Sequence, residues 1–159
     1  MQIDYSKTFA DLKERGLIGD DDKYAVCLFV PESTSSGVIQ TVTTSKIDYI
    51  MSVNSEELKL FDIDKNTGEY LGSYISFRKT DLVYGKKRKE RKIIYASRGL
   101  FGGRYVAIHF VAEDFMHTYE LPKKFHGFEQ IDARAQLYAF VKDVYNSYYD
   151  EKKRQYKNK

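Results

Sequence analysis

The stretch "LKLFDIDKNTGEYLGSYISF", residues 58–77, decides how this chain folds. Two runs rich in Leu, Phe, Tyr and Ile flank the polar segment Asp64–Gly68. β-branched and aromatic residues interrupted by Asp, Asn and Gly predict two strands and a turn. Gly68 closes that turn at the point where a hairpin needs positive φ, a conformation glycine reaches without steric cost.

The same period of two extends in both directions. Upstream, "YAVCLFV" (24–30) predicts a strand buried on both faces and closed by Pro31. "VIQTVTT" (38–44) predicts another strand, and "IDYIMSV" (47–53) alternates Ile47, Tyr49, Met51 and Val53 on one face. Downstream, "KIIYAS" (92–97), "RYVAIHF" (104–110) and "FMHTYEL" (115–121) continue the series between glycine-rich or acidic turns. Short strands with turn signals between them describe an antiparallel meander, either a barrel or a sandwich of about seven strands.

Both ends of the chain leave that period. Thr8–Arg15 predicts a short N-terminal helix with Thr8 as its cap and Gly16 as its stop. From Gln130 to Tyr149, Ile131, Ala135, Tyr138, Val141, Val144, Tyr145 and Tyr148 recur at spacings of three and four, the face of an amphipathic helix. The expected organisation is an N-terminal helix and connector (1–23), one β-rich domain with its C-terminal helix (24–149) and a polar, fraying tail (150–159).

Composition narrows the classes further. A chain of 159 residues is most simply one domain, and 14 Tyr and 10 Phe without Trp tilt its propensities toward strands. The longest apolar run, Tyr24–Val30, has seven residues, against the ~20 a helix needs to cross a bilayer. With no signal-peptide pattern at the N-terminus, the default expectation is a cytoplasmic location. Cys27 is the sole cysteine, so an intrachain disulfide is excluded, and its apolar setting predicts a small core residue rather than a reactive thiol.

The order of strands followed by one amphipathic helix resembles the pleckstrin-homology-like (PH-like) barrel, in which the helix plugs the open end of two orthogonal sheets. "LKLFDIDKNTGEYLGSYISFRKTDL" is similar to the central hairpin of the bacterial PH-like and GRAM-like families, and "KIIYASRGLFGGRYVAIHF" to their later glycine-turn hairpin. The resemblance covers residues 24–149 and implies a binding or scaffolding module, often a homo-oligomer, with no catalytic activity and no cofactor. That is an inference from fold, and folds do not fix function.

Two features bear on chemistry. Lys86, Lys87, Arg88, Lys89, Arg91 and Lys92 crowd seven positions with only Glu90 among them. With +3 overall, +5 here and +4 in residues 151–159, the rest of the chain carries −6. Such a run guards a sheet edge, or contacts an anionic lipid surface or a nucleic acid. Tyr84 and Tyr95 flank it, so base stacking is one use open to it.

The second feature is a histidine pair. If "RYVAIHF" and "FMHTYEL" pair so that positions summing to 226 oppose each other, His109 opposes His117, and with Glu113, Asp114 or His126 nearby a small metal-dependent enzyme is the alternative reading. The acids fall in the turn rather than on the histidine face, so no metal is assigned. Gly85-Lys86-Lys87 lacks the spacing of a phosphate-binding loop, and "GLFGG" (99–103) sits in a hairpin rather than before a helix. "DIDKNTGEYLGS" has Thr67 and Ser73 where a calcium loop needs Gly and Glu.

Overall fold

The computed structural model describes residues 3–30, 48–82, 92–98, 103–110, 115–125 and 128–157. The chain runs α1 (Tyr5–Glu14), β1 (Lys23–Val30), β2 (Asp48–Val53), β3 (Glu57–Ile63), β4 (Tyr70–Arg78), a 3-10 turn (Lys79–Leu82) and β5 (Ile93–Arg98). There follow β6 (Gly103–Phe110), β7 (Phe115–Glu120), the short pair β8 (Lys124–Phe125) and β9 (Phe128–Glu129), and α2 (Ile131–Lys157). Strands β1 to β7 form one antiparallel sheet in the order β4-β3-β2-β1-β7-β6-β5. The strand expected at 38–44 lies outside the described residues.

The stretch 58–77 forms the β3–β4 hairpin. Gly68 has φ 76° and donates its N–H to Asp64 O at 2.7 Å, while Asp64 Oδ1 accepts from the amides of Asn66 and Thr67. Those two amides hold the Asp64 carboxyl below its ordinary range. Leu58 and Leu60 face Phe77 and Ile75, but Phe61 faces Tyr74 and Ile63 faces Tyr70, so Leu71–Ser73 bulge around Gly72 at φ 88°.

Gly68 also lies under α1, where its carbonyl accepts from Thr8 Oγ1 at 2.6 Å and an added Cβ would overlap Ile3 Cγ2. Gly68→Ala is expected to cost about 1–2 kcal/mol from the left-handed backbone alone, read as a lower urea midpoint.

Helix α1 starts three residues earlier than expected. Asp4, not Thr8, caps it by accepting from Ser6 N at 3.0 Å, and Thr8 is buried in its first turns. Gly16, at φ 74°, ends it as expected. Its face of Tyr5, Phe9 and Leu12, with Ile18, covers Val26, Ile50, Phe61 and Ile63 on the outer face of the sheet.

The alternate residues of the same strands build the second core. Ala25, Cys27, Met51, Val53, Leu58 and Leu60 meet Ala133, Leu137, Phe140, Val141 and Val144 of α2 on the inner face. Strands β1 and β2 are therefore apolar on both faces because a helix covers each face. Cys27 is fully buried here, as its setting implied.

Helix α2 packs against β1 and β2 at one side and against β5 and the 3-10 turn at the other. In the strand order β2 and β5 are four places apart, about 19 Å along a flat sheet at ~4.8 Å per strand. Contacts with strands so far apart in the order fit a sheet that twists and curls around the helix.

The phase of α2 corrects the sequence reading. Ile131, Ala135 and Tyr138 of the expected face are exposed and Val141 and Val144 are buried as expected, while Ala133, Leu137 and Phe140, left off that face, are buried too. The helix also continues to Lys157, through residues expected to fray.

Gln130, just ahead of α2, is buried and completes the sheet. At Val26 strand β7 has already ended, since β1 pairs with it only from Leu28 to Val30. Gln130 Oε1 accepts from Val26 N at 2.7 Å, and its Nε2 donates to Val26 O at 3.1 Å and to Pro122 O at 3.0 Å. The side-chain amide thus takes the place of a strand residue and satisfies backbone groups that burial would otherwise leave unpaired.

Candidate functional site

Of the basic run, Lys86, Lys87, Arg88, Lys89 and Arg91 lie outside the described residues. Its borders do not. Leu82 and Ile93 are both buried in the α2-side core, and Lys92 Nζ donates to Asp81 O at 3.3 Å. Lys79, at the start of the 3-10 turn, pairs with Asp143 of α2 at 3.3 Å. The run therefore leaves and re-enters one well-packed place. Tyr95 is held there as well, its ring 5.6 Å from that of Tyr138 and steeply inclined to it.

The histidine pair does not form as expected. Strand β6 meets β7 with Ile108 against His117 and His109 against Met116, one residue away from the expected register. Because strand side chains alternate with a period of two, that single step puts positions 109 and 117 on opposite faces of the sheet. His126 lies outside the described residues. No group of three or more His, Cys, Asp or Glu positioned to hold a metal is found among the described residues.

His117 instead joins a corner that sequence reasoning missed. Phe29 and Tyr119 pair across β1 and β7, and Tyr49 pairs with Cys27 on one side and Asp62 on the other, all on the inner face. The rings of Phe29, Tyr49 and Tyr119 lie 5.4–6.4 Å apart at mutual angles of 59–85°, and His117 lies 5.5 Å from Phe29. Such edge-to-face contacts are the favoured geometry for aromatic pairs. Phe29, Tyr49, Asp62 and His117 are half-buried, and Tyr119 is buried behind them.

Asp62 carries a hydrogen bond from Ser73 Oγ and belongs to neither ion pair found among the described residues. Four strands contribute to this corner, and only the pairing of β1 with β7 brings them together. The available signal was the phase of "IDYIMSV", which puts Tyr49 on the same face as buried Met51.

Burial pushes the Tyr119 phenol far above its ordinary value, with Cys27, Tyr49 and Asp62 adding to the effect. Tyr49 is raised for the same first reason, then by Asp62 and Cys27. Both phenols therefore keep their protons in the folded state where the unfolded chain has begun to lose them, above about pH 10. Stability is full below that pH and falls as the pH rises beyond it. Tyr119→Phe is expected to flatten this alkaline decline, measured as urea midpoints at neutral and alkaline pH.

These features define a mainly β chain of the α+β class, one curled antiparallel sheet with a helix on each face. No family model and no curated protein matches it. Among solved structures it is similar to the hSac2 domain from human phosphoinositide phosphatase Sac2, at 11% identity and a TM-score of 0.46, covering 92% of this chain and 86% of that one. No helix among the described residues is long and apolar enough to cross a membrane.

Proposed function

We propose that this chain is a non-catalytic binding module on a PH-like barrel, docking on acidic phospholipid surfaces through its basic run. One observation carries the reading: Leu82 and Ile93 anchor both ends of a +5 segment in the same core, on a chain whose remainder is net negative once the basic tail is set aside. A flat anionic surface asks for no more than a compact cluster of bases, each contributing about 1 kcal/mol near the lipid head groups. The PH-like reading is supported by the C-terminal helix seated inside the curled sheet.

Single-stranded nucleic acid asks for more, a basic groove lined with free aromatic faces. Tyr95, the described aromatic beside the run, is already engaged with Tyr138. That contact favours the lipid surface.

Co-sedimentation tests the proposal. The protein is spun with neutral phosphatidylcholine vesicles, with vesicles containing phosphatidylserine, and in parallel with a single-stranded oligonucleotide, at low and high salt. Retention only on the acidic vesicles, lost at high salt, is the expected result. Equal retention on both vesicles, or binding to the oligonucleotide alone, overturns it.

A further inference from the structure

Helix α2 begins without a cap. Its first intrahelical bond runs from the Arg134 N–H to Gln130 O at 3.1 Å, so the N–H groups of Ile131, Asp132 and Ala133 have no acceptor within the helix. A Ser, Asp or Asn ahead of a helix turns its side chain back onto such groups. Gln130 stands in that position, and its carboxamide is spent on Val26 and Pro122 instead. No acceptor for the three amides is found among the described residues, so a 27-residue helix leaves the positive end of its dipole open.

Arg134 adds a whole charge at that end. It is only 7% exposed, yet among the described residues its guanidinium belongs to neither ion pair and donates no hydrogen bond. The acids nearest in sequence do not serve it. Glu129 stands opposite Lys124 across β8 and β9, and residues two places apart on a helix, as Asp132 and Arg134 are, do not face each other. Helical side chains lean toward the N-terminus, over the turn that precedes their own Cα, so the guanidinium is aimed at the uncapped turn. Arginine keeps its charge on burial, and a buried charge without a partner is strongly destabilising. The helix N-terminus repels that charge further. Both positive features call for the same partner, an anion. Glu129, Ile131 and Asp132 are exposed, so the end of the helix opens to solvent and an ion reaches it without an enclosed cavity.

We infer that the N-terminus of α2 and Arg134 together bind a phosphate group. The guanidinium fork takes two oxygens in its plane, while the helix amides point along the axis and take others. A carboxylate gripped by the fork has no third oxygen to offer the amides, whereas a tetrahedral phosphate does. The site lies between β9 and α2, apart from the basic run, which joins the 3-10 turn to β5.

Titration of the full chain with inorganic phosphate, at an ionic strength held constant with chloride, tests the inference. The amide resonances of Ile131, Asp132 and Ala133 are expected to shift saturably in nitrogen-15 NMR spectra. Arg134→Met keeps the apolar stem, removes the charge and is expected to weaken phosphate about tenfold, the effect of losing a charge-assisted hydrogen bond. In phosphate-free buffer the same variant is expected to hold or raise the urea midpoint, because an apolar side chain in place of an unpaired buried charge is neutral or stabilising.

Shifts that do not saturate, or that survive undiminished in Arg134→Met, overturn the inference. So does a urea midpoint that falls in Arg134→Met without phosphate, which would mean that the guanidinium already has its partner. Vesicles containing phosphatidic acid locate the source of the phosphate, with Lys86, Lys87, Arg88 and Lys89 replaced by glutamine to remove attachment through the basic run. Retention that depends on Arg134 assigns the phosphate to a lipid head group, and retention indifferent to Arg134 assigns it to a soluble ligand. The two proposals fail separately, since the glutamine replacements are expected to leave the phosphate-induced shifts intact.

Discussion

Replacing Lys86, Lys87, Arg88 and Lys89 together with glutamine is expected to weaken attachment to phosphatidylserine-containing vesicles about a thousandfold. Four bases at about 1 kcal/mol each amount to about 4 kcal/mol, and every ~1.4 kcal/mol is a factor of ten. The residual affinity is expected to vary little with salt, since most of the run's charge is gone. The urea midpoint is expected to stay in place, because Leu82 and Ile93, which bury the ends of the run, are unaltered. An unchanged vesicle affinity would return the run to a purely structural role, that of charges keeping other strands off an exposed edge.

Phe140→Ala is expected to be the most damaging single substitution in α2. Phe140 is fully buried on the inner face, among the largest side chains that the core encloses completely. Truncating a buried Phe costs about 3–5 kcal/mol, the lost transfer energy plus the cavity left behind. That is a large share of the roughly 5–15 kcal/mol that holds a domain folded. Ile131→Ala, at a residue 56% exposed, is expected to stay within about 0.5 kcal/mol. Chemical denaturation of the two variants side by side checks the phase of the helix: a larger loss from Ile131→Ala would mean that α2 is rotated.

That contrast also marks where sequence reading stopped. Helical period was legible in α2, but two apolar stripes compete along it. Ile131, Ala135 and Tyr138 lead one, Ala133, Leu137 and Phe140 lead the other, and Val141 and Val144 are shared by the expected face and the buried one. Only the neighbouring sheet selects the second. The β3–β4 hairpin was legible throughout, since its turn chemistry and its Gly68 are local.

The histidine register was legible but miscounted: a four-residue connection sets Phe110 opposite Phe115 and His109 opposite Met116, as the strands pair, and the one-step error reverses a face. The N-cap of α1 escaped for a different reason. Thr8 has the chemistry of a cap, but its hydroxyl is spent on Gly68, sixty positions away. For the candidate sites, the basic run was plain from composition alone. The corner was hidden, because Phe29, Tyr49, Asp62 and Tyr119 meet only after β1 has paired with β7.

Gln130 gives the fold an order in time. Its bonds to Val26 join residues 104 positions apart. During synthesis at about 5–20 residues per second, β1 therefore waits about 5–20 s before the amide that closes its flank has even been made. Through that interval the Val26 N–H and C=O have no lasting partner on the side away from β2, at the point where α2 will later begin. The nascent chain is then an unfinished sheet, open to chaperones and to strands of its neighbours, and the first residue ahead of the last helix is the one that ends the exposure.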